Sequence, residues 1–431
     1  MPILDNPCNV TTMKYFQRTL FTLALTLTML HGGWTTLQGD DWPQILGPSR
    51  NGQANGEKLF ETWPAEGPKE LWSRDCGQGF AGVAVKNNRV ILYHRVGTQD
   101  LVECLTAKAG DVIWKKQTKS IYRGGVSGDL GPRCVPLIHG ERVFIFGSAG
   151  DLRCLEFKTG NLVWERNLIK DYQASEGYFG AGSTPLVVGK QLITIVGGRN
   201  GGVVSMNLET GETLWKSAPD TASYSAPIQI RFDNRDAVVC VTKMNVIILA
   251  AQTGKVLFQD AYGKRGPTVN AAAPLFFDNS VFLTSSYAIG ARLIDLADFE
   301  NRWANNNSIS SQYTTPVFAD GFLYGTDGRE DFRNGSLRCV NAKNGQVQWK
   351  VDEFGLAHVI RSGNQLLIWT IEEKLVLAKL NSKQFVQTAQ ATIFSQNAKS
   401  LPAFSNGRLF VKANGDLKKG KLTCLQVGES G

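Results

Sequence analysis

The stretch KTGNLVW, residues 158–164, sets a turn dipeptide, Thr159-Gly160, four residues ahead of a tryptophan, Trp164. The same arrangement recurs along the chain. CLTAKAGDVIW ends at Trp114, SMNLETGETLW at Trp215, LAAQTGKVLF at Phe258, LIDLADFENRW at Trp303 and CVNAKNGQVQW at Trp349. A degraded copy, LAKLNSKQF, ends at Phe385, and PKELW brings Trp72 without the first half of the unit. KLTCLQV, 421–427, has that first half and no tryptophan after it. Trp72 to Phe385 is 313 residues in seven intervals, about 45 each, the period of a four-stranded propeller blade.

Each interval holds a second recurring piece, a short polar turn followed by an apolar run: NNRVILY from 87, GERVFIF from 140, GKQLITI from 189, DNSVFLT from 278. These runs are apolar on consecutive residues, as in a strand covered on both faces. Blades sandwiched between neighbours supply that double burial. Several are preceded by a strand opening in proline (Pro136, Pro185, Pro227, Pro316), a position where proline is tolerated. The expected fold is all-β, an eight-bladed β-propeller of four-stranded blades. The N-terminal Trp72 strand is expected to close the ring by pairing with the last blade, which would remove an open edge.

The recurring glycines, Gly110, Gly160, Gly211, Gly254 and Gly345, fit a backbone position with φ > 0. Trp72, Trp114, Trp164, Trp215, Phe258, Trp303, Trp349 and Phe385 are expected to dock each blade on the next. Cys104, Cys154, Cys339 and Cys424 share one place in the repeat, where other copies carry Ser205, Ile248 and Leu293. A place that accepts all four residue types is a packing site, so these cysteines read as buried free thiols. A Cys76–Cys134 bridge is left open.

The chain has 431 residues, 42% of them apolar, 19% charged and 45 glycines, a globular composition with many turns. A net charge of +8 without a run of five like charges is a solvated surface, not a nucleic-acid footprint. Four histidines and no CxxC leave no zinc or haem motif. Lys14 and Arg18 precede the apolar run TLFTLALTLTML, 19–30. Residues 1–39 therefore read as a signal peptide, with Met13 a candidate start. The expected mature protein is exported to the periplasm or beyond, with no transmembrane segment, a monomer with an arm at 40–68 and a single propeller domain at 69–431.

The units LEFKTGNLVW and MNLETGETLW resemble the pyrroloquinoline-quinone (PQQ)-like β-propeller repeat family, over roughly residues 69–427. DWPQILGPSRNG, 41–52, with WPAEGPKELW, 63–72, looks like the start of exported planctomycete-type members. The resemblance implies two branches. Quinoprotein dehydrogenases bind the quinone and calcium on the propeller axis, and non-catalytic propellers such as the outer-membrane barrel-assembly lipoprotein serve as interaction platforms. The dehydrogenases commonly carry adjacent cysteines beside the quinone, whereas the nearest pair here, Cys134 and Cys154, lies 20 residues apart. The apolar run is also not followed by a lipid-attachment cysteine. The expected function is an exported non-catalytic scaffold without a cofactor, binding a protein or a carbohydrate-like ligand at one face. The alternative is an alcohol or sugar dehydrogenase dependent on PQQ and calcium. Propeller ligands sit near the loops leading into the innermost strands, here 115–133, 165–182, 216–224, 259–271, 304–313, 350–357 and 386–399. The first two are long and rich in glycine and aromatics, as functional loops often are. Candidate contacts on that rim are Arg123, Tyr178, Tyr224, Asn270, Tyr313 and His358.

Overall fold

The computed structural model describes residues 41–332, 334–394, 398–414 and 419–430. The expected signal peptide at 1–39 and the candidate start Met13 lie outside the described residues. Eight four-stranded antiparallel sheets form an eight-bladed β-propeller. Blades 1 to 7 span residues 84–119, 137–167, 186–217, 228–261, 275–305, 317–351 and 357–392. Blade 8 takes three strands from 403–426 and its outer strand from Lys69–Cys76. Trp72 lies opposite Cys424 in that pairing. Among the described residues there is one helix, Leu168–Tyr172.

The polar turns and the apolar runs take the places their chemistry dictates. Asn87-Asn88, Asp233-Asn234 and Asp278-Asn279 join first to second strands with φ between +46° and +57° at both residues. Two consecutive positive φ values match the right-handed twist of a tight hairpin, and Asn and Asp tolerate them best. The second strands, such as Arg142–Phe146 and Gln191–Gly197, are buried nearly throughout.

The tryptophan that ends the repeat sits behind a register shift. In all eight blades the pairing of third and outer strands skips one residue just before the docking position. The bulge turns the ring toward the next blade. Trp164 then donates its indole N–H to the Leu208 carbonyl of blade 3 at 3.1 Å. Trp72, Trp114, Trp215, Trp303 and Trp349 do the same to Ala107, Phe157, Ala251, Ala342 and Asn381. The turn glycines serve these rings as well as the turn. Gly160 has φ +70°, and a Cβ there would lie 2.5 Å from the Trp114 ring. Gly110, Gly211, Gly254 and Gly345 meet Trp72, Trp164, Trp215 and Trp303 in the same way.

Two seams replace glycine by phenylalanine. Phe258 stacks on Phe299 at 4.8 Å, and Trp349 packs on Phe385 at 5.7 Å. Phe385 therefore stands between blades 6 and 7, where the turn glycine would be, and does not dock blade 7 on blade 8. The register gives the docking position of blade 7 to Ala389, opposite Leu377. Counting from the degraded repeat alone placed it four residues early. The Cys, Ser, Ile and Leu of the repeat lie opposite these docking residues, and Cys104, Cys154, Cys339 and Cys424 are buried and free. Burial pushes the Cys154 and Cys424 thiols up to about 12. Cys76 and Cys134 are also free thiols, so that bridge is absent.

The arm before Lys69 threads the molecule. Trp42 bridges Val85 of blade 1, and the Pro43 carbonyl accepts from Ile138 of blade 2. Leu46 packs with Ala226 and Ala273, which precede the inner strands of blades 4 and 5. Gly52 and Ala54 exchange hydrogen bonds with Arg361 of blade 7, and Gln53 donates to Phe318 of blade 6. The chain then runs past blade 8, where Leu59 bridges Gly428 and Phe60 donates to Val427. Arg50 is buried on this path. It donates to the carbonyls of Pro227 at 2.8 Å, Thr184 at 3.4 Å and Pro185, and to Gln44 at 2.8 Å. Burial pulls its guanidinium down to about 9. Carbonyl dipoles from blades 3 and 4 thus stand in for a counter-ion.

Candidate functional site

The arm makes the floor of a cavity. Ile45 and Leu46 close it from one side, and residues mostly before or at the start of the inner strands of the eight blades form its wall. These include Phe80 of blade 1, Arg133 of blade 2, Phe179 and Thr184 of blade 3 and Tyr224 of blade 4. Ala273 of blade 5, Tyr313 of blade 6, His358 of blade 7 and Lys399 of blade 8 complete the circuit. The cavity measures about 270 Å³. A wider cleft of about 760 Å³ adjoins it between blades 6 and 7 and shares Gln312, Glu330 and Lys399. Its carboxylates include Asp331, Glu372 and Glu373. Partial burial, with Glu372 beside it, raises Glu373.

Three of the six sequence candidates line the cavity. Tyr224 accepts the Phe179 N–H at 2.8 Å and packs edge-on against that ring at 5.6 Å. Burial pushes its phenol up to about 12. Tyr313 donates to Glu330 at 3.1 Å, and burial beside that carboxylate raises its phenol well above the ordinary value. His358 is buried, and its Nε2 lies 3.0 Å from the Lys399 carbonyl. A carbonyl only accepts, so Nε2 carries the proton. Burial lowers the ring to about 4, and it is neutral at pH 7.

The other three candidates stand elsewhere. Arg123 is exposed and outside the cavity lining. Tyr178 ties loops together: its hydroxyl donates to Gly266 at 3.3 Å, and Lys243 Nζ lies 5.0 Å from its ring centroid. Asn270 is a buried clamp. Its side chain donates to Thr242, Lys243 and Tyr262, and its carbonyl accepts from Tyr224 and Ser225. Its side-chain N–H groups are spent on backbone carbonyls, and Asn270 is not part of the cavity lining. Phe80, Arg133, Phe179, Glu330 and Lys399 were missed. Arg133 and Lys399 end their loops immediately before the inner strands, which is the positional signal that finds them.

The cations of the cavity are already matched. Arg133 pairs with Asp129 at 2.7 Å and lies 4.6 Å from the Phe80 centroid. Lys399 pairs with Glu330 and lies 5.4 Å from the same ring. A quinone bearing several carboxylates needs unmatched cations, so these residues do not fit it. Nor do the described residues include a group of three or more His, Cys, Asp or Glu that could hold a metal ion.

Comparison with known proteins decides the family. The family described as outer membrane protein assembly factor BamB matches residues 53–233 and 181–351, together more than two-thirds of the chain. The chain belongs to this family. The BamB of Burkholderia pseudomallei is 25% identical over 223 residues, 50% of this chain and 54% of that protein. The chain thus spans about half the length of that curated relative. The BamB crystal structure from Moraxella catarrhalis superimposes with a TM-score of 0.61 at 17% identity, covering 83% of this chain and 97% of that one. The quinohemoprotein alcohol dehydrogenase of Comamonas testosteroni gives 0.69 at 12% identity, covering 91% and 81%. At such identities these two likenesses to BamB and to the dehydrogenase show the shared propeller fold alone.

Proposed function

We propose that the protein is an exported, non-catalytic propeller whose loop face holds another polypeptide, in the service of outer-membrane protein assembly. The observation that carries the reading is the cavity on that face, walled by all eight blades, with its charges already matched. Most of its polar groups are committed to the protein itself, with His358 Nδ1 a buried acceptor left without a partner. His358 is neutral and bonded to a carbonyl, Tyr313 is bonded to Glu330, and the Thr315 hydroxyl accepts the Ala273 N–H. A general base bonded to a nucleophile, the signature of acid–base or covalent catalysis, is not among these pairs. Membership of a family described as an assembly factor supports a scaffold role. No described helix is long and apolar enough to cross a membrane. Export rests on the N-terminal residues, which fit a secretory signal.

The test is chemical cross-linking of the protein in its native envelope, followed by identification of what is attached to the loop face. Discrete adducts with an outer-membrane assembly protein support the proposal. Stoichiometric binding of PQQ with calcium, with dye reduction on alcohols or sugars, overturns it.

A further inference from the structure

We infer that the axial cavity is a socket for one aromatic side chain of the partner, with tryptophan the best fit. The inference rests on the scaffold reading above and gives the chemistry of its contact. Size comes first. A cavity of 150 Å³ holds a benzene ring, and drug-sized ligands occupy roughly 300–1,000 Å³. About 270 Å³ lies between these, the space of a two-ring side chain. A pendant sugar ring would fit by size, but the surfaces decide otherwise.

The floor is Ile45 and Leu46, with the wall residue Ala273 packed against Leu46 where the two meet, all apolar. The walls present Phe179, Tyr224 and Tyr313. A sugar's many hydroxyls need several free donors and acceptors, and the lining leaves one buried acceptor without a partner, His358 Nδ1, enough for a single N–H. The charges exclude the ionic ligands. A carboxylate would meet cations already paired, and a cation would meet a ring, Phe80, already covered by Arg133 and Lys399. An uncharged aromatic loses none of these pairs and gains edge and face contacts with the wall. Such a residue anchored in a central pocket is what concentrates binding energy at protein interfaces.

The experiment uses the full chain and 19F NMR of N-acetyl-5-fluorotryptophanamide, with N-acetyl-lysinamide, N-acetyl-aspartamide and methyl glucoside as competitors. The expected Kd is about millimolar or tighter for a probe of this size. The competitors leave the signal unchanged. Ala273→Phe fills the cavity where wall and floor meet and should weaken binding at least tenfold. Phe179→Ala, at a half-buried wall position, should weaken it several-fold if Ala273→Phe does not fold. Equal binding by these variants when folded, or displacement by the sugar or a charged amide, overturns the socket. Cross-linked partners retained in full by folded Ala273→Phe would also overturn it while leaving the scaffold proposal standing.

Discussion

The seam between blades 2 and 3 and the seam between blades 7 and 8 solve one packing problem in two ways. At the first, Trp164 reaches across, bonds Leu208 and lies on Gly211. At the second, the docking position is Ala389, too small to reach. The arm fills the gap. Trp63 is buried in one cluster with Leu377, Leu409 and Leu425, against which Ala389 packs. The hydroxyl of Thr62 donates to Thr388, and Gln365 donates to Phe60. A ring supplied from the chain's own N-terminal arm therefore replaces the ring that the repeat lost. The two tryptophans differ in one respect: Trp63 Nε1 has no hydrogen-bond partner among the described residues. A repeated solution uses repeated chemistry, whereas a borrowed one uses whatever the arm can place.

The largest effect should come from removing the arm. Deleting residues 41–68 takes away the ring at the 7–8 seam and the bonds of buried Arg50 to blades 3 and 4 together. The chain should lose cooperative thermal unfolding, or melt well below any single substitution, as followed by circular dichroism. A melt within a few degrees of the parent would show that the arm is decoration. Next, Trp164→Ala should cost about 3–5 kcal/mol in denaturant unfolding, the usual large-to-small penalty.

His358 sets a pH dependence of similar size. Its folded value, about 4, is below the ordinary 6.5. The stability it contributes is therefore complete above pH 6.5 and is lost as the pH falls toward 4. A shift of about 2.5 units is worth about 3 kcal/mol. His358→Gln should flatten the stability profile between pH 6.5 and 4 relative to the parent. An unchanged slope would place the ring in water.

Gly160→Ala should cost about 1–3 kcal/mol, because it strains a φ of +70° and drives Cβ into the Trp114 ring. The smallest effect is the sharpest test of the two seams. Trp164→Phe should cost about 1–2 kcal/mol more than Trp63→Phe, since only the former leaves a buried carbonyl without its donor. Equal costs would mean that the indole bond at the regular seams contributes nothing.

What could be read from the residues followed the repeat. KTGNLVW showed the turn and the docking ring, because several copies print the same pattern. Sequence gave one reason for the glycine and the structure adds a second, since the approach of the preceding blade's tryptophan is a long-range contact. Phe385 was misplaced because a one-residue bulge and a degraded repeat cannot be told apart by counting. The arm was expected at 40–68, but its path was hidden in another way. DWPQILGPSRNG and the Gln53 after it have no periodicity, and their contacts lie up to about 300 residues away, at Arg361 and Phe318. Tyr224, Tyr313 and His358 were found because their loops lead into inner strands. Asn270 has the same address, and only its hydrogen bonds distinguish a clamp from a contact.

The claim that the loop face is a docking surface is tested most directly by a photo-cross-linking residue at Tyr287, on the cavity wall, with Val256 on the outer edge of blade 4 as the control. Irradiated in the native envelope, the Tyr287 position should give discrete polypeptide adducts that disappear with folded Ala273→Phe, and the Val256 position should not. Adducts of equal yield at both positions, or none at Tyr287 together with quinone-dependent dye reduction, would contradict the account.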